Sequence, residues 1–451
     1  AEQDRVPLIV LTGCVDPADA FTYTHQVFDH QALFAPIVKA TFRVLAESAD
    51  VLVDKALAIA TDDRPGPVHL DLPISVAGAP VDAAAPVRRT RHKLGAPVAG
   101  PELDCAKVWL DTAMRPLILA GFDAVIHQAG DALRALAEAL NAPVLTTYKA
   151  KGLFPEDHWL ALGGAGLSPR CDEIVMPLVR SADAIVLAGY DPIEMRANWR
   201  SPWEAHEQRV IELTPVPNYH YVHQAGMSFV GDVAAGLQAL MPAGPVQASW
   251  PDGQPEQVRQ ALAGAFGQGE GWGPAAIVET VREVMPRETV ATVDSGAHRI
   301  LLSQVWRSFE PRTLLQSNGL CTMGCALPLA AGSCLSDPDR PAVCFTGDGG
   351  LEMVLGELAS LRDLELPVIV IVFADASLAL IELKQRNMQL GAVGVDFEPT
   401  DFAAVAEALG GRGTRVRSRA ALADALEAAR SSTRFTVIAC EMDRRDYDGR
   451  I

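Results

Sequence analysis

The sequence has no CxxC pair, no Cys and His at zinc-ligand spacing, no long basic run and no unbroken apolar segment of bilayer length. Each absence removes a class of protein. The eight cysteines, Cys14, Cys105, Cys171, Cys321, Cys325, Cys334, Cys344 and Cys440, are scattered through 451 residues and suggest neither a disulfide framework nor a metal knuckle. A reduced, cytoplasmic setting is the natural expectation. Acidic residues outnumber basic ones, 56 to 38, giving a formal net charge of −18 that disfavours a nucleic-acid partner. The longest apolar candidate, 366–380, is broken by Pro367 and Asp375, short of the roughly 18 to 20 residues a membrane helix needs. The opening AEQDRVPLIVLTG is acidic and runs directly into a strand-like segment, so it reads as the middle of a domain rather than a signal peptide.

What is present suits a large packed core: 49% apolar residues, 21% charged, and a length that predicts about three domains. Short β-branched runs alternate with helical stretches such as 131–140. The runs are VPLIVLTG, PVHLDLP, RPLILAG, APVLTTY, AIVLAG, RVIELTP, TVATVDSG, AVCFTGDGG, PVIVIVF and TVIACEM. Continuous apolar strands separated by helices indicate parallel sheets covered on both faces. Two stretches, 78–100 and 242–273, have linker composition, the second around a short helical piece. The expected class is therefore α/β, with three doubly wound parallel-sheet domains at 1–80, 102–243 and 274–451. The first, with two clear strands and one long helix, is incomplete.

The most specific pattern lies in the third block. Gly347, Asp348 and Gly349 follow the strand AVCFT, 25 residues intervene, and Asp375 ends the strand PVIVIVFA. Ligands of open parallel sheets bind at the carboxyl ends of strands, where both acids fall. A Gly-Asp-Gly turn lets backbone approach a pyrophosphate while its carboxylate offers a hard oxygen to Mg²⁺. Asp375 and the carbonyl of Ser377 would complete the protein's share of the shell, and a helix after Gly350 would turn its N-terminus to the phosphates. Taken alone, the triplet equally describes an ordinary turn.

The block as a whole resembles the thiamine-diphosphate enzymes of the acetolactate synthase and 2-oxo acid decarboxylase type. DSGAHR at 294–299 is similar to a phosphate-contacting turn of that family, and SNGLCTMGCALPLAAG at 317–332 and PVIVIVFADASLALI match its later segments. Upstream, VPLIVLTG and PVHLDLP resemble the end of its pyrimidine-binding domain, and RPLILAG, PVLTTYKAKGLFP and AIVLAG its central domain. The resemblance implies that Asp348, Asp375 and Ser377 hold Mg²⁺ and that His298, Gly347, Gly349 and Gly350 meet the diphosphate. It also implies that Met323 props the bent cofactor and that Gly319 and Cys321 lie near the aminopyrimidine. Met323 as core filler and Cys321 and Cys325 as packed thiols on one helix are the plainer readings.

Departures from the family pattern are Asp375 for Asn, Gly350 for Ser, Ala297 for Gln, and Lys384 for the Trp that shapes an acceptor pocket. The glutamate that activates the cofactor is expected upstream of Ala1. The resemblance implies decarboxylation of a 2-oxo acid, with carboligation to a carbonyl acceptor as a further step, in a homodimer or homotetramer with its cofactor between subunits. Alternatives are a flavin-linked 2-oxo acid oxidase, which would bind FAD, and a noncatalytic cofactor-binding subunit.

Overall fold

The computed structural model describes residues 1–25, 27–80, 93–244, 249–267, 269 and 271–451. The chain divides into two compact units, one of residues 1–94 with 318–320 and one of 95–317 with 321–451. Residues 81–92, most of the first linker-like stretch, lie outside the described residues.

In the smaller unit β1 (Leu8–Cys14), β2 (Ala40–Arg43) and β3 (Pro67–Pro73) form a parallel sheet in the order β1-β3-β2. The third strand, β2, is only four residues long and carries no long apolar run. Helix Ala49–Ala60 covers the sheet, packing Ala56 and Ala60 with Val68 and Leu70. The central strand buries His69 and Asp71, and it does so at low cost because both are paired. Thr12 and Thr41 each lie 2.7 Å from a ring nitrogen of His69, and Asp71 accepts from the Thr12 hydroxyl at 2.9 Å.

The larger unit holds two six-stranded sheets, both wholly parallel. The first comprises β4 (Pro116–Ala120), β5 (Val144–Thr146), β6 (Ala161–Gly164), β7 (Ala184–Ala188), β8 (Arg209–Thr214) and β9 (Met227–Val230), in the order β6-β5-β4-β7-β8-β9. The second comprises β10 (Val290–Val293), β11 (Leu314–Gln316), β12 (Ala342–Gly347), β13 (Ile369–Ala374), β14 (Arg412–Val416) and β15 (Thr436–Glu441), in the order β11-β10-β12-β13-β15-β14. Alternation along β12 shows why these runs are apolar throughout. Val343 and Phe345 enter the core on one face, and Ala342 and Cys344 the core on the other. The expected α/β class of helix-covered parallel sheets is what the chain adopts.

The stretch 242–273 holds a longer helix than the short piece expected. It carries the 13-residue helix Gln254–Phe266, which packs on helix Pro169–Ser181, and Phe266 is buried. Trp250 is also buried, its indole N–H donating to the Pro116 carbonyl at 2.8 Å.

Strand order decides where a ligand fits. From β10 the chain moves outward to the edge strand β11, and from β12 it moves the other way to β13. The connections after β10 and β12 therefore part, leaving a crevice at the carboxyl ends of two neighbouring strands. The first sheet has the corresponding divergence between β4 and β7.

Candidate active site

The β12–β13 register pairs Gly347 with Phe373, so Asp348 and Asp375 leave the sheet side by side. Asp348 does not sit in a free turn. Helix Asp348–Met353 begins at it, with Gly347 as its extended N-cap, so Asp348, Gly349 and Gly350 form the first helical turn. The helix expected as one piece after Gly350 is two, Asp348–Met353 and Glu357–Asp363. Asp348 Oδ1 accepts from the Gly349 amide at 2.8 Å, and Oδ2 accepts from the Asp375 and Ala376 amides at 3.0 and 2.7 Å. The side chain thus buckles two strand ends together. Ala376 takes the left-handed region, φ 54°, uncommon for a residue with a Cβ, and in that conformation its N–H reaches Asp348.

Those bonds occupy three of the roughly four lone-pair positions of the Asp348 carboxylate and leave one for a cation. Asp375 is less engaged, Oδ1 accepting from the Ser377 amide at 3.0 Å. Burial pushes the Asp348 carboxyl above its ordinary range despite the three N–H groups. Burial, and then the Asp348 charge, push Asp375 up to about 8. A divalent cation between two such carboxylates would relieve the cost of their charge. Among the described residues no cluster of three or more His, Cys, Asp or Glu could hold a metal. Two carboxylates with a carbonyl make a sparse all-oxygen set, the kind that suits Mg²⁺, which keeps waters and takes phosphate oxygens.

Across the crevice, helix Ala297–Val305 starts directly after β10 and carries His298 in its first turn. His298 Nε2 lies 2.8 Å from Asp294 Oδ1, and the ring stacks on Phe373 at 5.1 Å and 18°. Asp294, 1% exposed, also accepts from the Gly324 amide at 2.7 Å and the Thr346 hydroxyl at 3.1 Å. The starts of both helices border a cavity of about 160 Å³, with Met323, Asp375, Ser377 and Tyr447 among its other walls. Helix N-termini favour an anion, and the paired carboxylates favour a hard cation. A metal-bound diphosphate satisfies both.

Residues 103–240 match the central domain of thiamine pyrophosphate enzymes, and residues 294–440 match their C-terminal thiamine-pyrophosphate-binding domain. Together these matches cover well over half of the chain. The chain belongs to the thiamine pyrophosphate enzyme family. Among curated relatives, it is 28% identical to an acetolactate synthase of Bacillus subtilis over 99% of this chain and 79% of that protein. It is likewise 28% identical to a catabolic acetolactate synthase of Raoultella terrigena, over 99% and 81%. A probable 2-ketoarginine decarboxylase of Pseudomonas aeruginosa is 28% identical over 91% and 73%.

Within this thiamine pyrophosphate enzyme, the cavity brings together His298, Met323, Gly347, Asp348, Gly349, Gly350, Asp375 and Ser377. Gly319 and Cys321 are not among its lining residues, nor is Lys384, which is exposed on helix Ala379–Asn387. Cys321 and Cys325 do not share a helix: Cys321 has φ 53° and lies outside any helix, and Cys325 is the N-cap of helix Ala326–Ser336. The glycines at 349 and 350 are needed for space rather than for backbone conformation. A Cβ on Gly349 would stand 3.1 Å from Leu378, and one on Gly350 would stand 2.1 Å from Asp294 Oδ2. Gly350 thus makes room for the carboxylate that bonds His298.

Asp294 and Tyr447 were not legible as site residues. Asp294 lay within the quoted DSGAHR, and its spacing of four from His298 across a helix start was the available signal. Tyr447 arrives from a turn beyond the last strand and had none. The other divergence of strands lies between β4 and β7. A Cβ on Gly121 would lie 2.4 Å from the Gly189 carbonyl oxygen, and one on Gly189 would lie 2.3 Å from the Ala124 amide nitrogen. There the two loops close directly on each other.

Proposed function

We propose that this chain binds thiamine diphosphate with Mg²⁺ and decarboxylates a 2-oxo acid, with carboligation to a carbonyl acceptor as its further step. The observation that carries the reading is the pair of carboxylates, buried Asp348 and half-buried Asp375, facing one cavity bordered by two helix N-termini. Asp348, Asp375 and the Ser377 carbonyl would hold the metal, and the first-turn amides at Gly349 and Gly350 would meet the diphosphate. When bound, the cofactor supplies the electron sink that lets a 2-oxo acid lose carbon dioxide. The chain's own residues bind and orient. Asp294 fixes the His298 ring at the diphosphate end, while Met323, Leu378 and Ile381 give the cavity apolar side chains. Kinship with acetolactate synthases and a 2-ketoarginine decarboxylase favours the same reaction class. The same reading carries assembly as a homodimer or homotetramer.

The test is carbon dioxide release from a panel of 2-oxo acids, pyruvate included, by protein supplied with thiamine diphosphate and Mg²⁺, with condensation products followed in parallel. Cofactor-dependent release is the expected result. Tight cofactor binding without proton exchange at thiazolium C2 would favour a noncatalytic subunit, and flavin absorbance with peroxide formation an oxidase.

A further inference from the structure

The turn Arg444–Tyr447 lies past the matched cofactor-binding domain, which ends at residue 440, yet it delivers an aromatic side chain to the cofactor cavity. Tyr447 is 2% exposed and packs in the core that also holds Ala297, Leu301 and Ala379. Its hydroxyl has no hydrogen-bond partner among the described residues, and its oxygen is not sealed in protein. The open space that Tyr447 borders is the cavity. The other buried polar side chains of the lining are all engaged. His298 is bonded by Asp294, Asp348 by three amides, and Ser377 Oγ lies 3.4 Å from both Asp396 and Arg444.

The turn is held rather than free. Asp443 and Asp446 form a capping box across it. Arg386 makes paired bonds of 2.8 and 2.7 Å to Asp448, Arg445 lies 3.5 Å from the buried Glu382, and Arg444 bonds Asp396. Arg386 and Glu382 belong to helix Ala379–Asn387, whose first turn also lines the cavity. The phenol is therefore positioned before any ligand arrives, which lowers the entropy lost on binding. Open to the cavity, the hydroxyl can keep a water until a ligand arrives, so a ligand atom that accepts its proton takes that water's place. Burial, and then the nearby carboxylates Asp375 and Asp348, push the phenol up and keep it protonated, hence a donor.

We propose that Tyr447 is a cofactor-positioning residue whose phenol O–H donates to the diphosphate–metal unit in the Asp348/Asp375 cavity. The inference rests on the cofactor reading above and adds a donor that no matched motif contains. It is tested by calorimetric titration of wild-type protein and Tyr447→Phe with thiamine diphosphate, with inorganic pyrophosphate and with thiamine, all in the presence of Mg²⁺. The variant keeps the ring and removes only the oxygen. Its affinity should fall roughly tenfold for thiamine diphosphate and for pyrophosphate, about what one hydrogen bond to a charged group is worth. Its affinity for thiamine should not change, nor should its unfolding midpoint without ligand. Equal affinities in the two proteins would overturn the proposal while leaving the cofactor site standing. A lowered ligand-free midpoint with unchanged binding would make the hydroxyl structural and also overturn it. Failure of the wild-type protein to bind thiamine diphosphate at all would overturn the underlying reading and this proposal together.

Discussion

Single atoms decide much at this site. The carboxylate of Asp294 fills the space that a side chain at position 350 would need, since the Cβ would come within 2.1 Å of Oδ2. Gly350→Ser should therefore push Asp294 off the Gly324 amide and off His298. The loss expected is roughly 1–3 kcal/mol, the cost of overpacking a tight site together with orphaning a buried donor. Urea denaturation of the two proteins checks this, and an unchanged midpoint would mean that Asp294 has another place to go. Position 350 also shows a limit of reading residues one at a time. In the sequence, the glycine looks like the loss of a hydroxyl that relatives carry. In the structure it is one half of a pair with Asp294, 56 residues away in the chain, a complementarity that no spacing rule expresses. Asp348 and Asp375 were legible because a charged residue at the end of a wholly apolar strand has few structural uses.

At the level of elements, the sequence signal follows burial. The ten apolar runs correspond to β1, β3, β4, β5, β7, β8, β10, β12, β13 and β15, which include every interior strand of the three sheets. The five strands it does not show, β2, β6, β9, β11 and β14, are all edges. An edge strand is short, packs one side against neighbours, and tolerates Gly and Arg, as in the RGTRV of β14. It therefore lacks the continuous Val/Ile/Leu pattern. The helix that presents His298 illustrates a link that packing alone reveals. At its far end, Gln304 donates to the Tyr148 hydroxyl at 2.7 Å and to the Gly164 carbonyl at 3.1 Å, tying it to the first six-stranded sheet's loops. Gln304→Ala should cost roughly 1–2 kcal/mol for these bonds and should weaken thiamine diphosphate binding by loosening the helix start. Denaturant midpoints paired with calorimetry check both, and a stability loss with cofactor affinity intact would show that the far end does not set the near one.

Across the whole protein, the site imposes a pH dependence whose direction is fixed. The Asp375 carboxyl, raised in the folded state to about 8, holds its proton more tightly there than in the unfolded chain. Its contribution is complete below the ordinary carboxyl range and is lost as pH rises toward 8, because unfolding then releases a proton the fold had retained. Metal-free protein should unfold at lower temperature at pH 8.5 than at pH 6, and Asp375→Asn should flatten that slope. Added Mg²⁺ should stabilise the wild type more at the higher pH, since cation binding needs the carboxylate. Scanning calorimetry at the two pH values, with and without Mg²⁺, checks the direction, and a variant with the same slope as wild type would remove Asp375 as its source.

In the proposed reading, a cation held by Asp348 and Asp375 anchors a diphosphate in this cavity. Its most direct test is calorimetric titration of wild-type protein and Asp348→Ala with thiamine diphosphate, each with Mg²⁺ and with EDTA. The expected result is binding by the wild type that disappears in EDTA, and no measurable binding by the variant in either condition. Thiamine diphosphate affinity that is the same in Asp348→Ala, or that is indifferent to the removal of Mg²⁺, would contradict it.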